Sequence, residues 1–105
     1  MRPEITLILH NIRSTHNVGA IFRTAEGLGV KQIVISGYTP FPDLTIINQP
    51  DPRLPHLVEK ITKQIHKTAL GAERMVPFRR YEALENWLEE NERTGNLPII
   101  ALEQA

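Results

Sequence analysis

Two short apolar runs, ITLIL at residues 5–9 and KQIVIS at residues 31–36, constrain this chain more than any other feature. Each is rich in β-branched residues and apolar at consecutive positions, so each reads as a strand buried on both faces. Between them, Val18, Ile21, Phe22, Ala25 and Leu28 fall on one face of a 3.6-residue period, the mark of an amphipathic helix. Strand, helix, strand in that order form a right-handed crossover that leaves the two strands parallel and adjacent. The polar stretch after the first run then lies at the carboxyl edge of a sheet, where open α/β sheets bind ligands.

The remainder of the chain extends this plan. Residues 37–54 contain Pro40, Pro42, Pro50 and Pro52, too many prolines for a helix or a central strand. Such a long connection is either a surface linker or a functional excursion. Helical periodicity resumes over 55–69, with Leu57, Val58, Ile61 and Ile65 as the core face and Glu59–Lys63 as an i,i+4 pair. Gly71 is placed to end that helix, and Met75 to Phe78 to form a short third strand. A last helix is expected over 81–94, with Tyr81, Leu84, Trp87 and Leu88 inward, glutamates outward and Gly95 closing it. LPIIAL, residues 97–102, reads as a fourth strand. The fold class is α/β: a Rossmann-like parallel sheet of about four strands with flanking helices, in one domain spanning 1–105. Such a sheet leaves an edge and a face to be covered by a partner, a second copy or further chain.

Charge and composition narrow the function. Twelve basic and twelve acidic residues give a formal charge of zero, so nucleic acid must be met by local patches rather than a global field. The clustered basic helix face is Lys60, Lys63 and Lys67, an ordinary solvated stripe that can also meet an RNA backbone. There is no cysteine, which excludes disulfides and thiolate metal sites and fits a reducing compartment. His10, His16, His56 and His66 lack metal-ligand spacing, although His10 and His16 flank the polar loop and can reach phosphate. The apolar run at 5–9 is too short for a signal peptide or a membrane span, so a soluble cytoplasmic protein is expected.

Residues 11–29, NIRSTHNVGAIFRTAEGLG, carry the site. Asn17 is a suitable N-cap for the first helix, and Gly27 or Gly29 can supply its left-handed end. Arg13 lies in the loop, and Arg23 lies nearly opposite the apolar stripe, projecting away from the core. Gly19, a poor helix former in a first turn, implies that backbone or ligand comes close there. A dinucleotide fingerprint and a P-loop are both excluded, since neither G-x-G-x-x-G nor a glycine followed by Lys-Ser or Lys-Thr occurs in frame.

The pattern N-x-R-S-x-x-N-x-G-A-x-x-R-T-A, from Asn11 through Ser14 to Ala25, resembles the first motif of the SpoU/TrmH family over about fifteen positions. These are RNA ribose 2′-O-methyltransferases of the SPOUT superfamily that use S-adenosylmethionine on tRNA or rRNA. The resemblance implies that Arg23 sits beside the target ribose and assists deprotonation of its 2′-hydroxyl. It implies that Asn11 and Asn17 belong to the same active site and dimer contact; Arg13 and His16, in and beside the same loop, are the candidate RNA contacts. GYTPFP after the second strand and KTALGAE at 67–73 are similar to one TrmH-like subgroup, which brings in Thr68, Gly71 and Glu73 near the catalytic edge.

The family continues with G-N-E-x-x-G and S-L-N-x-x-x-A segments that thread a knot around S-adenosylmethionine, and neither occurs in this sequence. The resemblance therefore implies the N-terminal portion of a SPOUT-type domain without its knot, and no cofactor-binding residue in the chain. Two functions follow. One is a partial view of an RNA methyltransferase, active as a homodimer or with a C-terminal segment. The other is a non-catalytic half-domain that binds RNA or a partner. A nucleotide-binding regulator is permitted by the fold but lacks a phosphate fingerprint.

Overall fold

The chain, described over residues 4–94 and 98–103 of a computed structural model, runs β1 (Thr6–His10), α1 (Thr15–Leu28), β2 (Gln32–Ser36), α2 (Pro55–Ala69), β3 (Phe78–Tyr81), α3 (Leu84–Thr94) and β4 (Ile99–Glu103). Short 3-10 turns occupy Leu44–Ile47 and Ala72–Arg74. All pairings are parallel and the sheet order is β3-β2-β1-β4. The expected four-stranded α/β sheet is the one observed.

Period-two alternation assigns the two faces of the sheet. Leu7, Leu9, Ile33 and Ile35 join Val18, Phe22, Ala25, Ile65 and Phe78 in the main core beneath α1 and α2. Phe22 and Phe78 meet edge to face with ring centroids 5.6 Å apart. Ile8 and Val34 point the other way and pack on Trp87 of α3. The chain moves from β1 to β2 to β3 in one direction and then returns to the far side of β1. Right-handed crossovers therefore place α3 opposite α1 and α2, with a topological switch point between β1 and β4.

The helix boundaries follow local chemistry, and several depart from expectation. Ser14, not Asn17, caps α1: the Ser14 hydroxyl oxygen accepts from the Asn17 N–H at 3.1 Å. Gly29 ends α1 in the left-handed conformation, φ 70°. Leu28 is 70% exposed rather than core, because in the last turn it faces the open groove between α1 and β4. Leu57 is likewise exposed, while Val58 and Ile65 are buried. Leu70 takes the left-handed cap of α2, and Gly71, φ 97°, follows it rather than ending the helix itself.

The third strand is displaced from the expected 75–78. The N–H groups of Met75 and Val76 are bound by the Ala72 carbonyl at the end of the Ala72–Arg74 turn, Met75 is 70% exposed, and pairing begins at Phe78. Tyr81 therefore belongs to β3, not to the last helix, and its hydroxyl donates to Glu90 of α3 at 2.9 Å. Leu88 is exposed, so Trp87 supplies the buried contact of α3. Gly95 as helix stop and Leu97 as strand residue lie outside the described residues.

The proline-rich connection is built rather than slack. Asp51 accepts from Arg53 Nε at 2.9 Å, from Arg53 Nη2 at 2.6 Å and from the Leu44 N–H at 3.1 Å. Arg53 also donates to the carbonyls of Phe41 and Pro42, and its guanidinium lies 3.8 Å from the Phe41 ring centroid. Among the described residues no helix is long and apolar enough to cross a membrane.

Candidate functional site

The carboxyl ends of β1 and β2 are joined by a network that fixes the loop before α1. Asn11 takes the left-handed conformation, φ 55°, which asparagine tolerates better than most residues. Its Oδ1 accepts from the Tyr38 N–H at 3.2 Å, so its Nδ2 is the donor to His10 Nε2, also at 3.2 Å. With Nε2 accepting, the ring proton sits on Nδ1 and is donated to the buried Ser36 hydroxyl at 2.9 Å. Any side chain at Gly37 would overlap Asn11 Oδ1, and φ 66° disfavours one there in any case. Asn11 thus holds the second loop against the first.

Thr39 repeats the lock one layer deeper. Its buried hydroxyl oxygen accepts from the Ile12 N–H at 3.0 Å and has the carbonyls of Leu9 and Ser36 within donating reach. Arg80 of β3 donates to the Gly37 carbonyl at 3.1 Å. Outside this frame Arg13 and Tyr38 meet on the surface. The Arg13 guanidinium lies 5.6 Å from the Tyr38 ring centroid, and its Nε donates to the Tyr38 hydroxyl at 3.5 Å. That hydrogen bond raises the Arg13 pKa above its ordinary value.

Along α1, His16 and Arg23 stand seven residues apart and are both exposed, so they share one outward face with Ala20 between them. Asn17 is exposed on the first turn. Gly19 is buried, and a Cβ there would overlap Thr68 Oγ1 and the Ile65 carbonyl oxygen of α2. The close approach expected at Gly19 is thus by helix backbone. Thr68 donates to the His16 carbonyl at 2.8 Å and ties the end of α2 to the start of α1.

The remaining expected site residues lie apart from this edge. Lys60, Lys63 and Lys67 are exposed along α2, with Lys63 paired to Glu59 at 3.1 Å. Glu73 is buried, and its Oε2 pairs with His66 Nδ1 at 2.6 Å. It lines a groove of about 770 Å³ between α2 and the segment held by Asp51 and Arg53, together with Lys63 and Lys67. A second groove, about 580 Å³, runs between α1 and β4 and is lined by Leu7, Ile21, Thr24, Leu28, Ile100 and Leu102, among others. Among the described residues no group of three or more histidines, aspartates or glutamates could hold a metal ion.

Sequence reasoning included Tyr38 and Thr39 within GYTPFP without giving either a role, and it did not single out Ser36. The signal was slight: a glycine followed by an aromatic residue directly after the second strand. Arg80, 43 residues after the Gly37 whose carbonyl it binds, carried no signal at all.

No protein-family model matches the chain, and no curated protein matches it significantly. Solved structures do match its fold. An rRNA methyltransferase from Sinorhizobium meliloti aligns with TM-score 0.64 at 18% identity, covering 98% of this chain and 41% of that one. The AdoMet-bound form of an rRNA methyltransferase from the same organism aligns with TM-score 0.65 at 18% identity, covering 99% and 41%. An RNA 2′-O ribose methyltransferase aligns with TM-score 0.63 at 13% identity, covering 98% and 40%. At these identities the likeness establishes the fold. The chain spans about two-fifths of the length of each of these structures.

Proposed function

We propose that this chain is the RNA-facing part of a ribose 2′-O-methyltransferase of the SpoU/TrmH type, a partial SPOUT domain acting on tRNA or rRNA. The observation that carries the reading is the position of the motif. Its loop residues Asn11 to Ser14 stand at the carboxyl edge of β1, beside the switch point, and Arg23 is exposed on α1 about 12 Å along the axis from the helix start. In this reading the Arg23 guanidinium lies against the 2′-oxygen and stabilises the alkoxide that develops as the proton leaves. Such preorganised electrostatic help is typically worth on the order of 100- to 1000-fold in rate. Arg13, His16 and Asn17 meet the strand at the start of α1, and Lys60, Lys63 and Lys67 offer further phosphate contacts. Asn11 acts by holding the edge in shape.

The family resemblance also implies S-adenosylmethionine, and the described residues do not fit it. A methyl donor must abut the reacting hydroxyl inside a largely enclosed pocket. Among the described residues the α1–β4 groove is lined mostly by aliphatic side chains, with Asn17 and Thr24 but no carboxylate for ribose hydroxyls or an ammonium group. The polar groove beyond α2 is lined by neither Arg13 nor Arg23. That misfit is what favours the second reading, a half-domain that binds RNA or a partner without catalysis.

Salt-dependent binding of single-stranded RNA to the chain tests the reading common to both. Affinity should fall with salt, and Arg13→Ala and Arg23→Ala should each lower the slope of log affinity against log salt by about 0.7. A slope unchanged by both substitutions would place RNA elsewhere on the molecule or nowhere.

A further inference from the structure

We propose that the Tyr38 ring, with the Arg13 guanidinium beside it, is a stacking platform for an unpaired RNA base. The proposal rests on the RNA reading above and names the residue that receives a base near the reacting ribose. An exposed aromatic side chain means little by itself, because lone apolar residues are common on protein surfaces. Tyr38, 54% exposed, differs from such residues in how its backbone is held.

Every neighbour of that backbone is tethered. The Tyr38 N–H is bound by Asn11 Oδ1, and the preceding Gly37 carbonyl is bound by Arg80. The following Thr39 is buried and bonded across to the first loop through its hydroxyl. The ring itself contributes nothing to either core cluster. A rigid turn that displays an aromatic ring outward has already lost the freedom that binding would otherwise remove, which is the physical meaning of preorganisation.

The chemistry around the ring selects the occupant. A peptide or lipid partner would want an apolar surround, whereas the groups adjoining Tyr38 are the Asn11 amide and the Arg13 guanidinium. Unpaired bases stack on aromatic rings and on arginine planes, and a cation beside the ring meets the phosphate of the same nucleotide. The platform lies at the carboxyl edge of β2, next to the start of α1. Arg23 is eight residues into that helix, about 12 Å along its axis, so one strand can reach both. Because every base has a π face, the platform fixes the position of the strand rather than its sequence.

The test uses the whole chain and a short single-stranded oligoribonucleotide carrying 2-aminopurine at each position in turn. Stacking quenches 2-aminopurine, so the wild type should quench strongly at one position, and Tyr38→Phe should keep that quench. Tyr38→Ala and Tyr38→Leu should lose it, with affinity lowered about 5- to 150-fold and the salt slope unchanged, since no phosphate contact is removed. Arg13→Gln should instead flatten the slope. The Tyr38 side chain is exposed, so the melting temperature of each variant serves as the folding control. If the chain binds RNA but Tyr38→Ala keeps both quench and affinity, the platform is overturned while the RNA reading stands. If the wild type binds no RNA, the RNA reading itself fails and the platform with it.

Discussion

Gly19 is the residue on which the helix pair depends. Thr68 Oγ1 and the Ile65 carbonyl occupy the space where its side chain would be, so α1 and α2 can cross this closely only with glycine there. Gly19→Ala should therefore cost about 1–3 kcal/mol in chemical denaturation, as overpacking does. Adding Thr68→Ala should recover only part of that loss, because the Ile65 oxygen is backbone. An unchanged denaturation midpoint would mean that the helices part freely. The cap of α1 gives a second residue-level prediction. Ser14→Ala should cost about 1 kcal/mol and Asn17→Ala distinctly less, because the Ser14 oxygen holds the first-turn N–H. Equal losses would restore Asn17 as the cap. The sequence offered both polar residues in one short loop, and periodicity could not choose between them. The choice came from where the loop leaves β1, held by Asn11 and Thr39, which is tertiary information.

At the scale of elements, α1, β2 and α2 were legible because long, regular patterns specify them. The third strand was not, since three residues of 3-10 turn after Gly71 push it to Phe78–Tyr81 and delay the start of the third helix, whose end at Thr94 and buried Trp87 were legible. The proline-rich segment was legible only as an exception to regular structure. One of the contacts that order it is the Asp51–Arg53 ion pair, and that pair makes a pH prediction. Arg53, with two backbone N–H groups in support, holds the Asp51 carboxyl well below the usual carboxylate range. A carboxylate whose folded pKa is depressed contributes stability that is full above its unfolded value, about 3.9, and is lost as pH falls below that toward the folded value. The wild type should accordingly lose stability in that acid window through this pair. Asp51→Asn should be less stable at neutral pH and show a smaller loss below about pH 4, read from denaturation midpoints. A parallel decline of both proteins would assign the acid loss to other groups.

At the scale of the whole molecule, the sheet is covered by α1 and α2 on one face and by α3 on the other, while β3 and β4 are edges. Ile100 of β4 and Leu28 of α1 are exposed in the apolar groove between those elements. Unpaired strand edges and apolar surface favour association. We expect the chain to self-associate in light scattering across a concentration series, and a monodisperse monomer at high concentration would contradict this. The architecture was readable from two apolar runs and one helix between them. The chemistry was readable only as a motif, because no periodicity distinguishes a reactive arginine from a solvated one. That leaves Arg23 as the central claim, and methyl transfer to RNA as its most direct test. In a longer polypeptide that carries this chain in place and methylates RNA, Arg23→Ala should lower turnover on the order of 100- to 1000-fold with thermal stability within about 0.5 kcal/mol. Arg23→Lys should restore little, lacking the planar fork of donors. Near-normal turnover by Arg23→Ala would contradict the account.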